Sequence, residues 1–405
     1  MNVSSLGLSS PSFSSSRSEV LVAGGGPVGL ACAIEARLRG LSVTVIESRA
    51  TVIDKACGEG LMPGALPLLA RLGVQPQGYE LLGVSYRDGT RSVEHLFRGG
   101  PGLGVRRTVL HTALRQRALE LGAKFEQATV TGVEQTRSGV RVSVSHRGVV
   151  GTPIEADWLL GCDGLHSVVR RLVGLERDGS SGSRSPAAAE AAGVAGAGAG
   201  AVPGTTDRAR DRARDRARDR AANRRRYGLR QHFAVAPWSR LIEVHWSPQS
   251  EIYVTPVSAT TVGIAILGSR AINFAAEIDR NTELADRLRA AEPMSELRGA
   301  GPFHQSTRAR TAGRVLLVGD AAGYVDAITG EGLRLGFAGA AAAVECISRG
   351  LPASYEARWR AETRSFRLLT GSLVWTAQSP LRRVIVPAAA ALPRVFGAVV
   401  ERLAQ

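Results

Sequence analysis

The sequence predicts an α/β fold in which a parallel-sheet domain is interleaved with a mostly antiparallel sheet and closed by C-terminal helices. Three observations predict it. The stretch Glu19-Val20-Leu21-Val22-Ala23 is an apolar run that ends in Gly24-x-Gly26-x-x-Gly29 and passes into an alanine-rich helical pattern. Two later runs, Asp157-Trp158-Leu159-Leu160-Gly161-Cys162-Asp163-Gly164 and Arg314-Val315-Leu316-Leu317-Val318-Gly319-Asp320, are apolar strands that close on Gly and Asp. Between these motifs, 130–150 alternates apolar and polar residues, the period of antiparallel strands, and 227–267 shows strand patterning with meander connections.

Each segment follows from its composition. Residues 1–18 are Ser-rich and lack the basic and apolar regions of a signal peptide, which predicts a disordered tail. Residues 19–47 form the first βαβ half. Gly24, Gly26 and Gly29, with Pro27 opening the helix, fit a strand-to-helix turn that lets a pyrophosphate reach the backbone at a helix N-terminus. Glu47 closes the second apolar run, Leu41–Ile46, where a ribose hydroxyl acceptor is expected. Residues 48–70 should cross near the ligand. Residues 105–123 read as a helix with Leu110, Leu114, Ala118 and Leu121 on one face, and 154–175 return to the parallel domain.

The next segment is anomalous. Residues 176–226 become Ala/Gly-rich and then repeat Asp-Arg-Ala-Arg from Asp207 to Arg218, a composition that cannot bury a core. The reading preferred here is a low-complexity expansion in a surface loop, over a basic arm for an acidic partner. Strand patterning resumes at Tyr227 and suggests a meander. Residues 272–298 read as helical, 331–349 as a long Ala-rich helix, and the chain from Tyr355 onward as mostly helical.

Composition bounds the function. The 405 residues are 44% hydrophobic, enough for a large core and two joined domains. The net charge of +15 would suggest nucleic acid, but Lys55 and Lys124 are the only lysines and the aromatic RNA-binding motifs are missing. Arginine richness is read as compositional bias, and a nucleic-acid partner is not expected. Cys32, Cys57, Cys162 and Cys346 form no CxxC pair and no metal spacing with the histidines, so no metal is expected and the thiols fit a reducing cytoplasm. The apolar stretch 384–400 is interrupted by Pro387, Pro393 and Arg394. That predicts no transmembrane segment and leaves room for peripheral membrane contact.

Taken in order, the N-terminal glycines, the Asp163-Gly164 motif and the Gly319-Asp320 motif resemble the FAD-dependent oxidoreductases of the p-hydroxybenzoate hydroxylase and geranylgeranyl reductase superfamily, from about Glu19 to Arg349. The resemblance implies a Rossmann-like FAD-binding domain of the glutathione-reductase type and an antiparallel substrate sheet. The expected boundaries are 19–80, 105–176 and 301–350 for the FAD domain, and 81–104 and 227–300 for the substrate domain. A 177–226 insert and a 351–405 helical region complete the chain. It also implies roles. Gly24, Gly26, Pro27 and Gly29 line the FAD pyrophosphate, and Glu47 binds the adenosine ribose. Arg106 faces the nucleotide, Asp163 positions FAD and NAD(P)H, and Gly319-Asp320 holds ribityl or ribose oxygens. Gly330 and Gly332 approach the isoalloxazine.

Catalytic candidates are Cys57, in a loop resembling the cysteine-glycine loop of the reductase branch, with Glu331, His232 and Tyr253. The activity implied is an FAD-dependent monooxygenase of an apolar or aromatic small molecule, of the kind used in secondary metabolism, with NAD(P)H as transient donor. A reductase of isoprenoid double bonds is the alternative, and a non-catalytic flavin-binding protein a lesser one. No Trp-x-Trp-x-Ile-Pro segment supports a halogenase. Substrate and oligomeric state stay open.

Overall fold

The structure, a computed structural model, describes residues 17–177 and 225–405. The expectations for a disordered tail and for a low-complexity surface loop therefore lie, apart from their outermost residues, outside the described residues.

A parallel core carries the first sheet. The strand Ser18–Ala23 pairs on one side with Val43–Ile46 and on the other with Ile154–Gly161. Val43–Ile46 pairs in turn with Lys124–Glu126, and Ile154–Gly161 with Val315–Leu317, all in parallel. The strands are near-continuous Val/Leu/Ile runs because helices cover the sheet. The helix Pro27–Leu38 packs beside Arg107–Glu120 and Gly332–Ser348, and Leu30, Ile34, Leu110, Leu114 and Phe337 are buried with the strands in one cluster. The helix at 105–123 thus forms over Arg107–Glu120, with Leu110, Leu114 and Ala118 buried. The strands Thr129–Gln135 and Val140–His146 are antiparallel, as their alternation predicts, and extend this sheet.

The second sheet is antiparallel except at one junction. Leu241–Trp246, Ser250–Ser258 and Thr261–Gly268 form a meander, and Tyr227–Ala234 pairs with the last of them. Gly83–Arg87 joins the other edge in parallel with Leu241–Trp246, and Ser92–Leu96 pairs with Gly83–Arg87. Residues far apart in the chain thereby share one sheet.

The region 272–298 differs from the sequence expectation. It holds two short helices, Phe274–Arg280 and Thr282–Leu288, and is not helical beyond them. The side chain of Asn281 accepts from the Leu284 N–H and caps the second helix, a local contact that competes with helix continuation. Beyond it, Glu292–Pro293 and Arg298–Ala300 pair with Tyr227–Ala234. The C-terminal part is helical, with Ser354–Ala377 followed by Ile385–Ala391 and Pro393–Ala404.

Candidate active site

The parallel strands end at one edge of the first sheet, and the motif residues follow directly. Gly24 comes after Ala23, Glu47 after Ile46, Asp163 two residues past Gly161, and Asp320 three past Leu317. Ligands of such sheets sit at this carboxyl edge. A cavity of about 950 Å³ opens there and runs to the face of the antiparallel sheet.

The glycine turn is shaped for a backbone-bound ligand. Gly24 has φ +105°, and a Cβ on it would lie 2.6 Å from the Cys162 carbonyl oxygen. A Cβ on Gly29 would lie 1.9 Å from the Gly24 carbonyl oxygen, so only glycine lets the helix begin this close to the strand. Gly26 is different. Its φ is −69°, which any residue adopts, and a Cβ there would meet nothing within 4 Å. It lines the cavity at the start of the helix Pro27–Leu38, where unpaired N–H groups favour an anion.

Glu47 accepts from the Gly25 N–H at 2.9 Å through one carboxylate oxygen and from the Arg49 N–H at 3.0 Å through the other. That pins the acid against the glycine turn. From below, the buried His111 donates Nε2–H to the Gly25 carbonyl at 3.0 Å, which fixes its tautomer. Burial holds the His111 pKa below its ordinary value, and the Gly25 bond partly offsets this. Arg49, Lys55 and Arg107 line the same cavity, a positive set suited to a diphosphate. Burial lowers the Lys55 pKa, with Arg49 and Arg107 adding to it. Burial raises that of Asp320, against which Arg107 and Lys55 pull.

Arg107 takes the place expected for Arg106. Arg106 is the residue before the helix, with ψ 135°, and Arg107 is its first helical residue. Of the two, only Arg107 is among the residues lining the cavity. Gly29 and Gly319 also lie off its wall. Gly29 acts through the tight turn, and Gly319, at φ +64°, through the bend that carries Asp320 into the cavity.

Asp163 lines the cavity, but its carboxylate is committed locally. It accepts from the Val168 and Val169 N–H groups at 2.6 and 3.0 Å and from the Ser167 hydroxyl, capping the helix Val168–Leu172. Arg170 follows in that helix. Its buried guanidinium donates to the carbonyls of Leu165 and Ala321, tying this motif to the Gly319-Asp320 turn.

The four catalytic candidates separate. Cys57 and Tyr253 line the cavity. Tyr253 donates its hydroxyl to the Ile328 carbonyl at 2.8 Å, and burial pushes its pKa well up. Asp326 in the same loop pairs with buried Arg226, which also pairs with Glu251, so the loop before Gly330 and Gly332 is anchored to the antiparallel sheet. Glu331 is turned away from the cavity and pairs with Arg334 at 2.7 Å. Burial raises its pKa to about 7. His232 is fully buried and stands one layer behind the wall, hydrogen-bonded to the cavity-lining carboxylate of Glu59.

Glu59 is a site residue that sequence reading missed. It adopts φ +58°, uncommon outside glycine. One carboxylate oxygen accepts from the Arg107 N–H at 2.7 Å and the other meets His232 Nε2. Arg230 Nη1 lies 3.1 Å from His232 Nδ1, and a guanidinium can only donate. His232 Nδ1 is therefore an acceptor, and Nε2–H donates to Glu59. The run Cys57-Gly58-Glu59-Gly60 was the available signal, but a partner 173 residues away was not readable from it. The rest of this end is apolar, including Ile242, Val244, Leu267, Phe303 and, from the last helix, Val400 and Leu403.

Comparison with known proteins decides the cofactor. Residues 17–195 match the FAD binding domain family. This part of the chain is similar to FAD-binding domains. Over 176 residues the chain is 34% identical to a 12-dehydrotetracycline 5-monooxygenase/anhydrotetracycline 6-monooxygenase of Streptomyces rimosus, covering 40% of this chain and 34% of that protein. The chain thus spans about a third of the length of the curated relatives it matches. Among solved structures, p-nitrophenol 4-monooxygenase from Pseudomonas putida superposes with a TM-score of 0.70 at 18% identity, covering 96% of this chain and 95% of the other. A geranylgeranyl bacteriochlorophyll reductase-like protein from Thermoplasma acidophilum gives 0.66 at 19%, covering 96% and 92%. The fold is that of the FAD-dependent hydroxylases, and eight expected motif positions (Gly24, Gly26, Pro27, Glu47, Asp163, Asp320, Gly330 and Gly332) line one cavity. The residues present fit FAD: an open cradle at Gly26, an acid at the ribose position, and cations beside a buried aspartate.

Proposed function

We propose that the protein is an FAD-dependent monooxygenase that hydroxylates an apolar or aromatic small molecule of secondary metabolism. One observation carries the reading: a single cavity joins the dinucleotide turn to an apolar sheet face, so a cofactor bound at one end meets a substrate bound at the other. The tetracycline and rifampicin monooxygenases among the relatives support the class of reaction.

Bound FAD would accept hydride from NAD(P)H and activate dioxygen. In this reading Gly24, Gly26 and Pro27 cradle its diphosphate with Arg107. Glu47 takes the adenosine ribose, Asp320 the ribityl chain, and Gly330 and Gly332 let the ring approach. Ile242, Val244, Leu267 and Phe303 bind the substrate and exclude water. Glu59 is the carboxylate placed to take a substrate proton, with His232 holding its second oxygen. NAD(P)H visits as a transient donor, because the sequence shows a single glycine-rich dinucleotide turn.

The test is NAD(P)H consumption by FAD-loaded protein with a panel of polycyclic and simple phenols under labelled dioxygen. Substrate-stimulated consumption with one labelled oxygen in the product supports hydroxylation. The position of Cys57 on the cavity wall favours a second reading, reduction of an isoprenoid double bond. Alkene reduction by chemically reduced protein without oxygen, and no labelled product, would replace the first reading with this one.

A further inference from the structure

The C-terminal helices leave a series of apolar side chains uncovered. Leu368 and Trp375 on the helix Ser354–Ala377 are each 64% exposed, and Val384, Leu392, Val395 and Val399 follow on the next turns and helices. Isolated exposed apolar residues are ordinary, but a run of this size over one segment marks a contact surface. Basic residues are interleaved with it. Arg364, Arg383, Arg394 and Arg402 are exposed and form no ion pair among the described residues, whereas Arg358 and Arg360 higher on the same helix pair with Glu345 and Glu356.

Acids are nearly missing from this stretch. Between Arg364 and Arg402 the sequence holds one, Glu401. It is engaged by His95 Nε2 and the Arg98 N–H, both at 2.8 Å, so it does not offset the outer arginines. No single helix among the described residues is long and apolar enough to cross a membrane, and Pro380–Ala391 and Pro393–Ala404 meet at 104°. Short, bent, amphipathic helices with aliphatic and Trp side chains beside arginines suit the interface plane and not a span.

We propose that this C-terminal cap is a membrane-docking face that seats on an anionic phospholipid surface. The apolar side chains enter the acyl boundary while the arginines reach phosphate groups along their own stems. The last helix links this face to the cavity. Val395 and Val399 are exposed, while Val400 and Leu403 of the same helix line the cavity, so one helix separates lipid from the apolar end of the site.

Flotation of the FAD-loaded full chain tests this, with vesicles of phosphatidylglycerol and phosphatidylcholine in equal parts and with phosphatidylcholine alone. The protein should float with the mixed vesicles, less with the neutral ones, and less as salt rises. The double variant Arg383→Glu/Arg394→Glu should lower the partition coefficient by at least about 25-fold, from the loss of two arginines each contributing roughly a fivefold attraction to the surface, with the added acids deepening the effect. Trp375→Ser/Val395→Ser should weaken binding to both vesicle types. Unchanged flavin absorbance and melting temperature would show that each variant is folded, as expected for exposed positions. Equal partition of wild type and the charge-reversed variant overturns the proposal. So does wild type that stays with neither vesicle, including the case where light scattering shows a dimer that Trp375→Ser/Val395→Ser dissociates, which would assign the face to a second copy.

Discussion

Gly26 and Gly29 lie three positions apart in one motif, yet the structure predicts opposite consequences for the same substitution. A methyl group on Gly29 would sit 1.9 Å from the Gly24 carbonyl oxygen, a backbone atom that cannot swing aside. Relieving the clash requires a shift of more than 1 Å, roughly, between helix and strand, and overpacking of this kind costs about 1–3 kcal/mol or more. Gly29→Ala should therefore lower the melting temperature of the apo-protein by several degrees. At Gly26 the methyl group meets nothing within 4 Å, and the backbone is already compatible with alanine. Stability should hold or rise by about 0.4–1 kcal/mol through the unfolded chain.

The same methyl group points into the cavity where the diphosphate is proposed to rest, so FAD affinity should fall at least about tenfold, or about 1.4 kcal/mol. Thermal melts of apo-protein and flavin fluorescence titrations separate the two effects. A Gly26→Ala protein that binds FAD as wild type does would refute the placement of the diphosphate. One that melts well below wild type would refute the claim that the space at Gly26 is open.

Three further outcomes follow from the site. Asp320→Ala removes a carboxylate acceptor, and hydrogen bonds to charged groups contribute about 1.5–3 kcal/mol, so the FAD dissociation constant should rise about tenfold to a hundredfold; an unchanged constant would place Asp320 outside the cofactor contacts. Arg107→Ala should weaken FAD binding by roughly tenfold while Arg106→Ala leaves it within about twofold, and the reverse ranking in the same titration would restore Arg106 to the nucleotide. Glu331 has its pKa raised from 4.5 to about 7, so the folded state binds the extra proton and stability is lost as pH rises through that window. Glu331→Gln should flatten this loss, on the order of 3 kcal/mol, between about pH 4.5 and pH 7 in apo-protein melts, and parallel curves for the two proteins would exclude Glu331 as its source.

The chain by itself determined which motif residues stand at the carboxyl edge of the parallel sheet. Gly24, Gly26, Glu47 and Asp320 are legible because each is local: a strand of known direction ends, and the next residues must lie at the carboxyl edge of the sheet. The antiparallel sheet was legible for the same reason, since alternation is a property of a few neighbouring residues. Tertiary structure decided what depends on phase or on distant partners. Whether Arg106 or Arg107 faces the cavity turns on where the helix starts, which a one-residue shift reverses. Whether Asp163 meets the ligand or caps a helix depends on the Val168 and Val169 N–H groups that close around it. Glu59 lies in the loop before the short strand Gly60–Leu61 and His232 in the strand Tyr227–Ala234, and the two become a pair only when folding brings that loop against the antiparallel sheet. Glu331 reads from the sequence as either a helix cap or a substrate-facing acid in a glycine loop, and in the structure its side chain does neither and pairs with Arg334. A sequence records which groups are available at each strand end. It does not record the rotation of a side chain about an element's axis or the partner that packing brings from far along the chain, and those two choices determine which charge enters the cavity and which is spent on the fold.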